Sequence, residues 1–402
     1  MSTIKFKRFT KVNFLTQIGR DLVDQFLYRN RTGLAERQVV LPAATLDDSE
    51  YFAAVVRLAK SPEGLPESLV EAAFGIEDMA NDEGQERLEN ATNENGLVYR
   101  FRENSTCAEI AMQAWLTNES VFNEKRSEQR LMRVASFDYF GSKPENRDFP
   151  FTEPNAEILV LMRSDLETVF RAKNRGAHTT QIEVFKMDGE HWFLIRHGET
   201  CVRVPTVADG RVSMLHFRPT KEDAVVYSPQ FDELRIHAVR KWEKDLYRET
   251  IGQRLFGNTH RFTERKAYTL DPLLVEGADA LDVTNIPGLD KVILRETETA
   301  WPGEFGDVTV RKSEDIFASA KQRSATAIAE SGRLIRATFD FYFTGDDKPR
   351  KVHIRLPNIL KLSRYCDAPL VNQWIGERGF RAVVVGGLYR ESITHVERVA
   401  LP

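Results

Sequence analysis

Two groups of basic side chains in the second half of the chain have the types and spacing expected of a surface that binds phosphate groups. One group lies on a predicted helix and the other on a predicted strand. Their members are Arg240, Lys241, Lys244 and Arg248 on the helix, and Lys351, His353 and Arg355 on the strand. Alternate residues of a strand share a face, so the three strand residues could together meet a nucleic-acid backbone. The sequence therefore nominates nucleic acid as a candidate ligand, bound through segments 240–266 and 348–355.

The predicted helix also carries acidic side chains, which leaves two other interpretations open. Glu243, Asp245 and Glu249 are interspersed with its basic residues, and ion pairs within the helix, worth only about 0.2–0.5 kcal/mol each, would make it a solvated surface. Alternatively, the acidic segment 36–124, with 18 acidic against 6 basic side chains, would contact a basic surface. That surface would belong to the same chain or to a partner, either another protein or a second copy in a homo-oligomer.

The sequence Arg196-His197-Gly198-Glu199 is the closest match to a catalytic motif. It resembles the signature of the histidine phosphatases and phosphoglycerate mutases, in which the histidine is the phosphorylated nucleophile and the arginine binds phosphate. In that family the motif lies near the N-terminus, precedes a loop and a helix, and is accompanied by a second histidine before a glycine. Here segment 201–205 continues as a predicted strand, and no other histidine precedes a glycine. We therefore expect these residues to belong to the end of a buried strand.

A metal-dependent nuclease or phosphoester hydrolase with an unrecognised site is the enzymatic alternative. Nucleases of the PD-(D/E)xK kind place an acidic residue and a lysine two positions apart on a strand, so that both side chains project to the same face and share a metal ion and its water. Glu183 and Lys186 are three positions apart and would face opposite sides of a regular strand. Asp340, on another predicted strand, has no acidic or lysine partner at a useful spacing.

Other motif searches nominate no catalytic residue, no metal ligand and no cofactor. The sequence contains no P-loop, no dinucleotide-binding glycine motif, no H-E-x-x-H zinc motif and no G-x-S-x-G elbow. The cysteines at positions 107, 201 and 366 are too widely separated to form a CxxC zinc site. Their odd number and wide spacing fit a reducing compartment.

Composition predicts a cytoplasmic globular protein without membrane contact. The chain has 402 residues, of which 42% are hydrophobic and 29% charged, and a mean hydropathy of −0.40. No apolar run approaches the roughly 20 residues that cross a bilayer. The N-terminal residues lack the apolar segment of a secretory signal.

The periodicity of apolar residues predicts an α+β fold in three parts. These parts are an acidic all-α module at 1–145, an antiparallel β-meander with covering helices at 146–268, and a β-rich C-terminal unit with a short terminal helix and strand at 269–402. The first boundary falls in the polar, proline-containing segment 143–150.

Local signals add detail to this prediction. In the all-α module, apolar residues at every fourth position from Phe14 to Phe26 indicate one long helix, and Thr106 has the spacing of a helix cap. In the meander, Asp188-Gly189 and Asp209-Gly210 are typical of tight hairpin turns, which require positive φ.

These patterns favour a non-catalytic subunit or adaptor of a multi-component intracellular system, with a protein partner or nucleic acid as its ligand. A prokaryotic antiviral defence system would be a suitable setting for a multi-domain chain without metabolic motifs.

Overall fold

The structure is a computed structural model that describes residues 7–95, 104–134, 136–142, 149–187, 189–208, 210–264, 266–328, 331–346, 348–362, 368–382, 384–385 and 388–389. The chain divides into two compact units, Met1–Arg130 and Leu131–Pro402. Among the described residues, no helix has the length and apolar character needed to cross a membrane.

All regular secondary structure in the described residues of the first unit is helical. Its helices are α1 (Val12–Ile18), α2 (Arg20–Arg29), α3 (Arg31–Glu36), α4 (Asp48–Ala59), α5 (Glu67–Met79), α6 (Asp82–Asn95), α7 (Cys107–Thr117) and most of α8 (Glu119–Met132). The predicted cap is confirmed, because the Thr106 hydroxyl accepts a 3.1 Å hydrogen bond from the backbone N–H of Glu109 at the start of α7. Asp47 caps α4 in the same way through the N–H of Glu50.

The helix predicted from Phe14 to Phe26 is two helices, separated by Gly19. The φ of Gly19 is +91°, a backbone conformation that L-residues with a side chain rarely adopt. This residue ends α1 and starts α2 in a new direction. The apolar repeat still predicts burial correctly, since Phe14, Ile18 and Phe26 all lie in one core.

The second unit contains most of the β-structure. Its strands are β1 (Ser136–Ser142), β2 (Gln181–Met187), β3 (Glu190–Gly198), β4 (Val202–Ala208), β5 (Arg211–Phe217), β6 (Thr220–Ser228), β7 (Glu233–His237), β8 (Phe262–Glu264), β9 (Leu289–Ala300), β10 (Val308–Lys312), β11 (Arg333–Phe343), β12 (Arg350–Arg355), β13 (Ile359–Lys361), β14 (Val384–Val385) and β15 (Leu388–Tyr389). Its helices are α9 (Ala156–Ala172), α10 (Lys241–Phe256), α11 (Asp271–Val275), α12 (Ile316–Gln322) and α13 (Ala368–Glu377). The α+β class predicted from the sequence is therefore confirmed.

One antiparallel sheet of 11 strands runs through this unit. The order is β10-β9-β11-β12-β13-β1-β7-β6-β3-β2, and β8 pairs with β1. Strand β1 pairs with β7 on one side and with β13 on the other. The arrangement differs from the predicted three-part division, because strands of segments 146–268 and 269–402 belong to the same sheet.

The predicted meander is interrupted by a hairpin that leaves the sheet. Among the described residues, β4 and β5 pair only with each other, while β3 pairs directly with β6. Gly189 and Gly210, in the two predicted tight turns, have φ of +74° and +71°, as those turns require. The turn residues in the sequence thus predict both hairpins. They do not predict which hairpin belongs to the large sheet.

The two faces of the sheet bury different helices. Helices α9 and α10 cover one face, which we call the α9–α10 face, and the core there includes Phe193 of β3 and Tyr247 of α10. Among the described residues, this core contains no residue of β9 to β13. Helices α11, α12 and α13 contribute to a core on the opposite face, which includes Phe339 of β11 and Trp374 of α13.

The opposite core should depend strongly on Trp374. This side chain is fully buried, with its ring 4.9 Å from Phe380 and 5.0 Å from Phe341. We expect Trp374→Ala to lower the free energy of unfolding by about 3–5 kcal/mol, because it leaves a cavity. The control is Phe305→Ala, at a side chain that is 99% exposed, and it should change stability by less than about 0.5 kcal/mol. Equal urea midpoints for the two variants would contradict this assignment of the core.

Candidate functional site

The strand residues predicted to share a face do so, and a neighbouring strand adds a fourth basic side chain. Lys351, His353 and Arg355 alternate along β12, and the register of β12 with β13 sets Lys361 opposite His353. Lys351, Arg355 and Lys361 are exposed, and His353 is half-buried. We call these four residues the basic patch. Lys361 was not nominated by the sequence, because pairing between strands cannot be read from the alternation within one strand.

Carboxylates on the neighbouring strands are held by other cations. The ion pairs are Glu296 with Arg336 and Lys312, Glu298 with Arg336, and Asp340 with Arg295. By contrast, in the described part of the chain no carboxylate lies within ion-pair distance of Lys351, Arg355 or Lys361. These three positive charges are therefore available to a ligand.

The pKa of His353 is affected by the positive charge of the patch. Its Nδ1 lies 2.9 Å from the hydroxyl of Thr338 on β11. Burial lowers the pKa of His353, and the nearby charges of Lys361, Arg336 and Lys351 lower it further, against a smaller opposing effect of Glu296. The same positive charges that disfavour protonation of the imidazole would favour binding of an anion.

Helix α10 brings the other predicted basic residues to the same face of the sheet. Arg240 and Lys241 are exposed at its start. Lys244 contacts Asp138 of β1, and Asp138 is in register with Ile359, which is itself opposite Arg355. Two strand spacings, about 10 Å, therefore separate the backbone at Asp138 from that at Arg355. The sequence nominated these two groups independently, and the sheet makes them neighbours.

Part of this helix is neutralised by its own acidic residues. Arg248 lies 3.3 Å from Asp245 and 3.9 Å from Glu249, as the solvated-surface interpretation expects. Glu243 instead is fully buried and turns into the unit. Arg240 and Lys241 are thus the more available cations of α10.

The rest of segment 240–266 contributes to the fold rather than to an open surface. Arg254 makes two hydrogen bonds, of 2.7 and 2.8 Å, to Asp165 of α9. Arg261 is 3% exposed and pairs with Asp232 after β6. Arg265 lies outside the described residues.

The Arg196-His197-Gly198-Glu199 segment ends a buried strand, as expected. The His197 ring is fully buried and stacks on Phe170 with 4.1 Å between ring centroids. Arg196 pairs with Glu183 and Glu222 on the adjacent strands. A Cβ atom at Gly198 would lie 2.4 Å from the carbonyl oxygen of Arg175, so close packing accounts for this glycine.

The nuclease-like pair of β2 is also engaged elsewhere. Glu183 contacts Arg196, whereas Lys186 lies 3.2 Å from Glu153. The two side chains do not converge on one site.

A buried network of charged and hydrogen-bonding side chains surrounds His197 and was not identified from the sequence. It connects α10 with β3, β6 and the segments that flank the sheet. Its members are Arg175, His197, Glu199, Lys221, Asp223, Glu243 and Tyr247, of which His197, Glu243 and Tyr247 have no exposed surface. The Lys221 ammonium lies 3.1 Å from Asp223 and also contacts Glu243. Arg175 contacts Glu199 and lies 3.7 Å from Glu243. A sequence signal existed in Lys221 and Asp223, which alternate on one strand, but their partners are remote in the chain.

Asp223 is the centre of the hydrogen bonds in this network. Burial would raise the pKa of Asp223, but the hydrogen bond to His197, the charge of Lys221 and the hydrogen bond from Tyr247 outweigh burial and lower it. The Tyr247 hydroxyl donates at 2.7 Å. The carboxylate is therefore held in its ionised form.

Both ring nitrogens of His197 have an oxygen neighbour. Nδ1 lies 3.0 Å from the carbonyl oxygen of Gly198, and Nε2 lies 3.2 Å from the Asp223 carboxylate. Around this ring, the cations Lys221 and Arg175 contact the carboxylates of Glu199, Asp223 and Glu243.

The contacts of Lys221 favour a structural role over a metal centre. His197, Asp223 and Glu243 offer ligand atoms within 4.8 Å of one another, which is close enough to hold a metal ion. The ammonium of Lys221, however, already contacts both carboxylates. A metal ion would have to displace that ammonium from a buried position, where charge is costly to leave unpaired.

Neither protein-family models nor curated proteins match this sequence. Any function must therefore be argued from the geometry of the chain itself.

The buried network should be sensitive to loss of a single charge. We expect Lys221→Met to lower the free energy of unfolding by about 3–5 kcal/mol at neutral pH, because it leaves Asp223 and Glu243 short of a cation. The double variant Lys221→Met/Glu243→Gln should recover part of this loss. Urea unfolding measures all three proteins, with Lys291→Met, at an exposed strand residue, as the control.

The pH dependence of the free energy of unfolding tests the role of Lys221 in a second way. Because the pKa of Asp223 is lowered by folding, this carboxylate stabilises wild type above its unfolded pKa of about 3.9, and that contribution is lost as pH falls through the lower folded pKa. Lys221→Met removes a cause of the lowered pKa, so its deficit should shrink at acidic pH. A pH-independent deficit would contradict the role assigned to Lys221.

Proposed function

We propose that the chain is a non-catalytic subunit or adaptor that binds the phosphate backbone of nucleic acid through the basic patch and the start of α10. The observation that carries the proposal is the unpaired charge of Lys351, Arg355 and Lys361 on one face of adjacent strands. Neighbouring carboxylates could have neutralised these side chains but pair with other cations. The remaining positive charge suits a polyanion.

The dimensions of the patch fit several phosphate groups. Lys351 and Arg355 are four residues apart on one strand, which corresponds to about 13 Å, and Lys361 lies on the next strand, about 5 Å away. Cations at this spacing can contact more than one phosphate of a nucleic-acid strand. Such contacts release counterions, so binding should weaken steeply as salt concentration rises.

The chemistry of the patch favours contacts to the backbone over recognition of sequence. Ammonium and guanidinium groups on a flat sheet reach phosphates readily, whereas reading base edges requires an element that enters a groove. We therefore expect similar affinity for unrelated sequences of the same length and strandedness.

The first test removes charge from the patch. Lys351→Gln/Arg355→Gln should lower affinity uniformly across sequences and make the plot of log affinity against log salt shallower by about 1.4–1.8, since each of the two lost phosphate contacts removes about 0.7–0.9. Fluorescence anisotropy with labelled single strands and duplexes, over a range of salt concentrations, measures both quantities.

A matched control separates the patch from general charge effects. Lys321→Gln/Lys60→Gln removes two exposed lysines, one in α12 and the other directly after α4. This double variant should keep the affinity and the salt dependence of binding close to those of wild type. If the two double variants lose the same slope, the patch is not the binding surface. Failure of wild type to bind any nucleic acid at low salt would reject the proposal in favour of a protein partner.

The second test uses the histidine of the patch. A bound polyanion offsets the positive charges that lower the pKa of His353, so the pKa should rise on binding and the complex should take up a proton. Affinity should therefore increase as pH falls from about 8 towards 6, near the ordinary pKa of histidine. Binding titrations at constant ionic strength measure this trend. His353→Gln should flatten it, and an identical pH profile for the variant would show that another group is responsible.

A further inference from the structure

A cavity of about 480 Å³ opens beyond the end of β6, next to the C-terminal end of α10. Five aromatic rings line it, together with proline and polar side chains. The rings are Phe149, Phe151, Tyr227, Phe231 and Phe256. Phe151 packs at 4.9 Å from Tyr227 and 5.5 Å from Phe256, so the inner wall is a connected aromatic cluster.

Two of these rings lie at the mouth of the cavity and remain open to solvent. Phe149 is 39% exposed and Phe231 is 46% exposed. The guanidinium of Arg381 lies 4.5 Å from the centroid of the Phe231 ring, and Arg381 is itself fixed by two hydrogen bonds to Glu233. Phe231 is thus held in place on one side by a cation–π contact, which makes it a preorganised surface for stacking.

The polar groups of the cavity are neutral as a set. Asp232 accepts hydrogen bonds of 2.7 and 2.9 Å from Arg261, so these two charges cancel. Gln230, which is exposed at the rim, carries an amide that both donates and accepts. Aromatic walls with an adaptable amide suit a flat, uncharged group with a hydrogen-bonding edge better than they suit a phosphate.

The cavity and the proposed nucleic-acid surface lie at opposite ends of α10. Tyr227 and Phe256 belong to the core of the α9–α10 face, the face on which Lys244 contacts Asp138. Along α10, Arg248 lies over the ring of Phe140 at 5.7 Å, and Phe256 then lines the cavity. The 12 residues from Lys244 to Phe256 span about 18 Å of helix, a distance covered by about five stacked nucleotides at 3.4 Å each.

We propose that this cavity binds an unstacked nucleobase of single-stranded nucleic acid whose backbone lies along α10 and the basic patch. This inference rests on the proposed function and specifies its ligand as a single strand. Bases of any identity have a flat aromatic face, so stacking on Phe231 and Phe149 would add affinity with little sequence preference. A paired base within a duplex cannot enter the cavity without unpairing, so duplexes gain no such contact.

The experiment compares three labelled ligands of equal length: a single-stranded oligonucleotide, the same strand made abasic throughout, and the duplex. Wild type should prefer the base-bearing single strand to the abasic strand, because only the former has a base to stack. Phe231→Ala should weaken binding of the base-bearing strand about 5-fold to 150-fold, the range measured for loss of one base–aromatic contact. Its affinity for the abasic strand and for the duplex should stay at the wild-type value.

Two control variants accompany this comparison. Phe305→Ala makes the same substitution at a fully exposed ring away from the cavity and should bind like wild type. Phe231→Trp keeps an aromatic surface and should retain the preference for bases. Because Phe231 is partly exposed, its replacement by alanine should leave the unfolding midpoint close to wild type, which excludes misfolding as the cause of weaker binding.

The outcomes distinguish this inference from the proposed function. One outcome is that Phe231→Ala binds the base-bearing strand as wild type does, while Lys351→Gln/Arg355→Gln still reduces the salt dependence. The cavity is then not a base-binding site, and the basic patch still binds the phosphate backbone. If the base-bearing strand binds with little salt dependence and its binding requires Phe231, the cavity is a base-binding site and the basic patch is not a phosphate-binding surface. Absence of binding to all three ligands overturns both.

Discussion

The second unit depends on the pairing of β1 with strands from two distant parts of the chain. On one side β1 pairs with β7, and on the other side it pairs with β13, more than 200 residues further along. Each ladder supplies backbone hydrogen bonds that a free strand edge would leave to water. Without β1, the strands that follow α9 and those that follow α11 would form two separate sheets.

This pairing also determines which charged side chains are buried and which are exposed. On the α9–α10 face, strands β1, β3, β6 and β7 are covered by helices, so the charged groups there need partners within the unit. In the buried network, Lys221 contacts both Asp223 and Glu243. On β12 and β13, beyond the reach of that core, Lys351 and Lys361 face outward. The same residue types are structural at one end of the sheet and available for binding at the other.

Strong local signals in the sequence are reproduced by the structure. Thr106 caps its helix, the glycines of both predicted hairpin turns have positive φ, and Lys351, His353 and Arg355 share a face. Each of these features depends on residues at most four positions apart. Their outcome is decided by backbone geometry and hydrogen bonding within one element, so one sequence is enough to predict them.

Properties that depend on contacts between distant residues could not be read in this way. The sequence by itself determined the α+β class, the helical first unit and the alternation that exposes the basic strand residues, because periodicity and turn chemistry are local. Only the tertiary structure decided that Lys361 joins them, that Lys244 pairs with Asp138, and that His197 is buried among charged side chains. It also decided that Phe149 and Phe231 meet at one cavity. Strand order and helix docking bring these groups together, and both are set by burial and pairing over the whole unit.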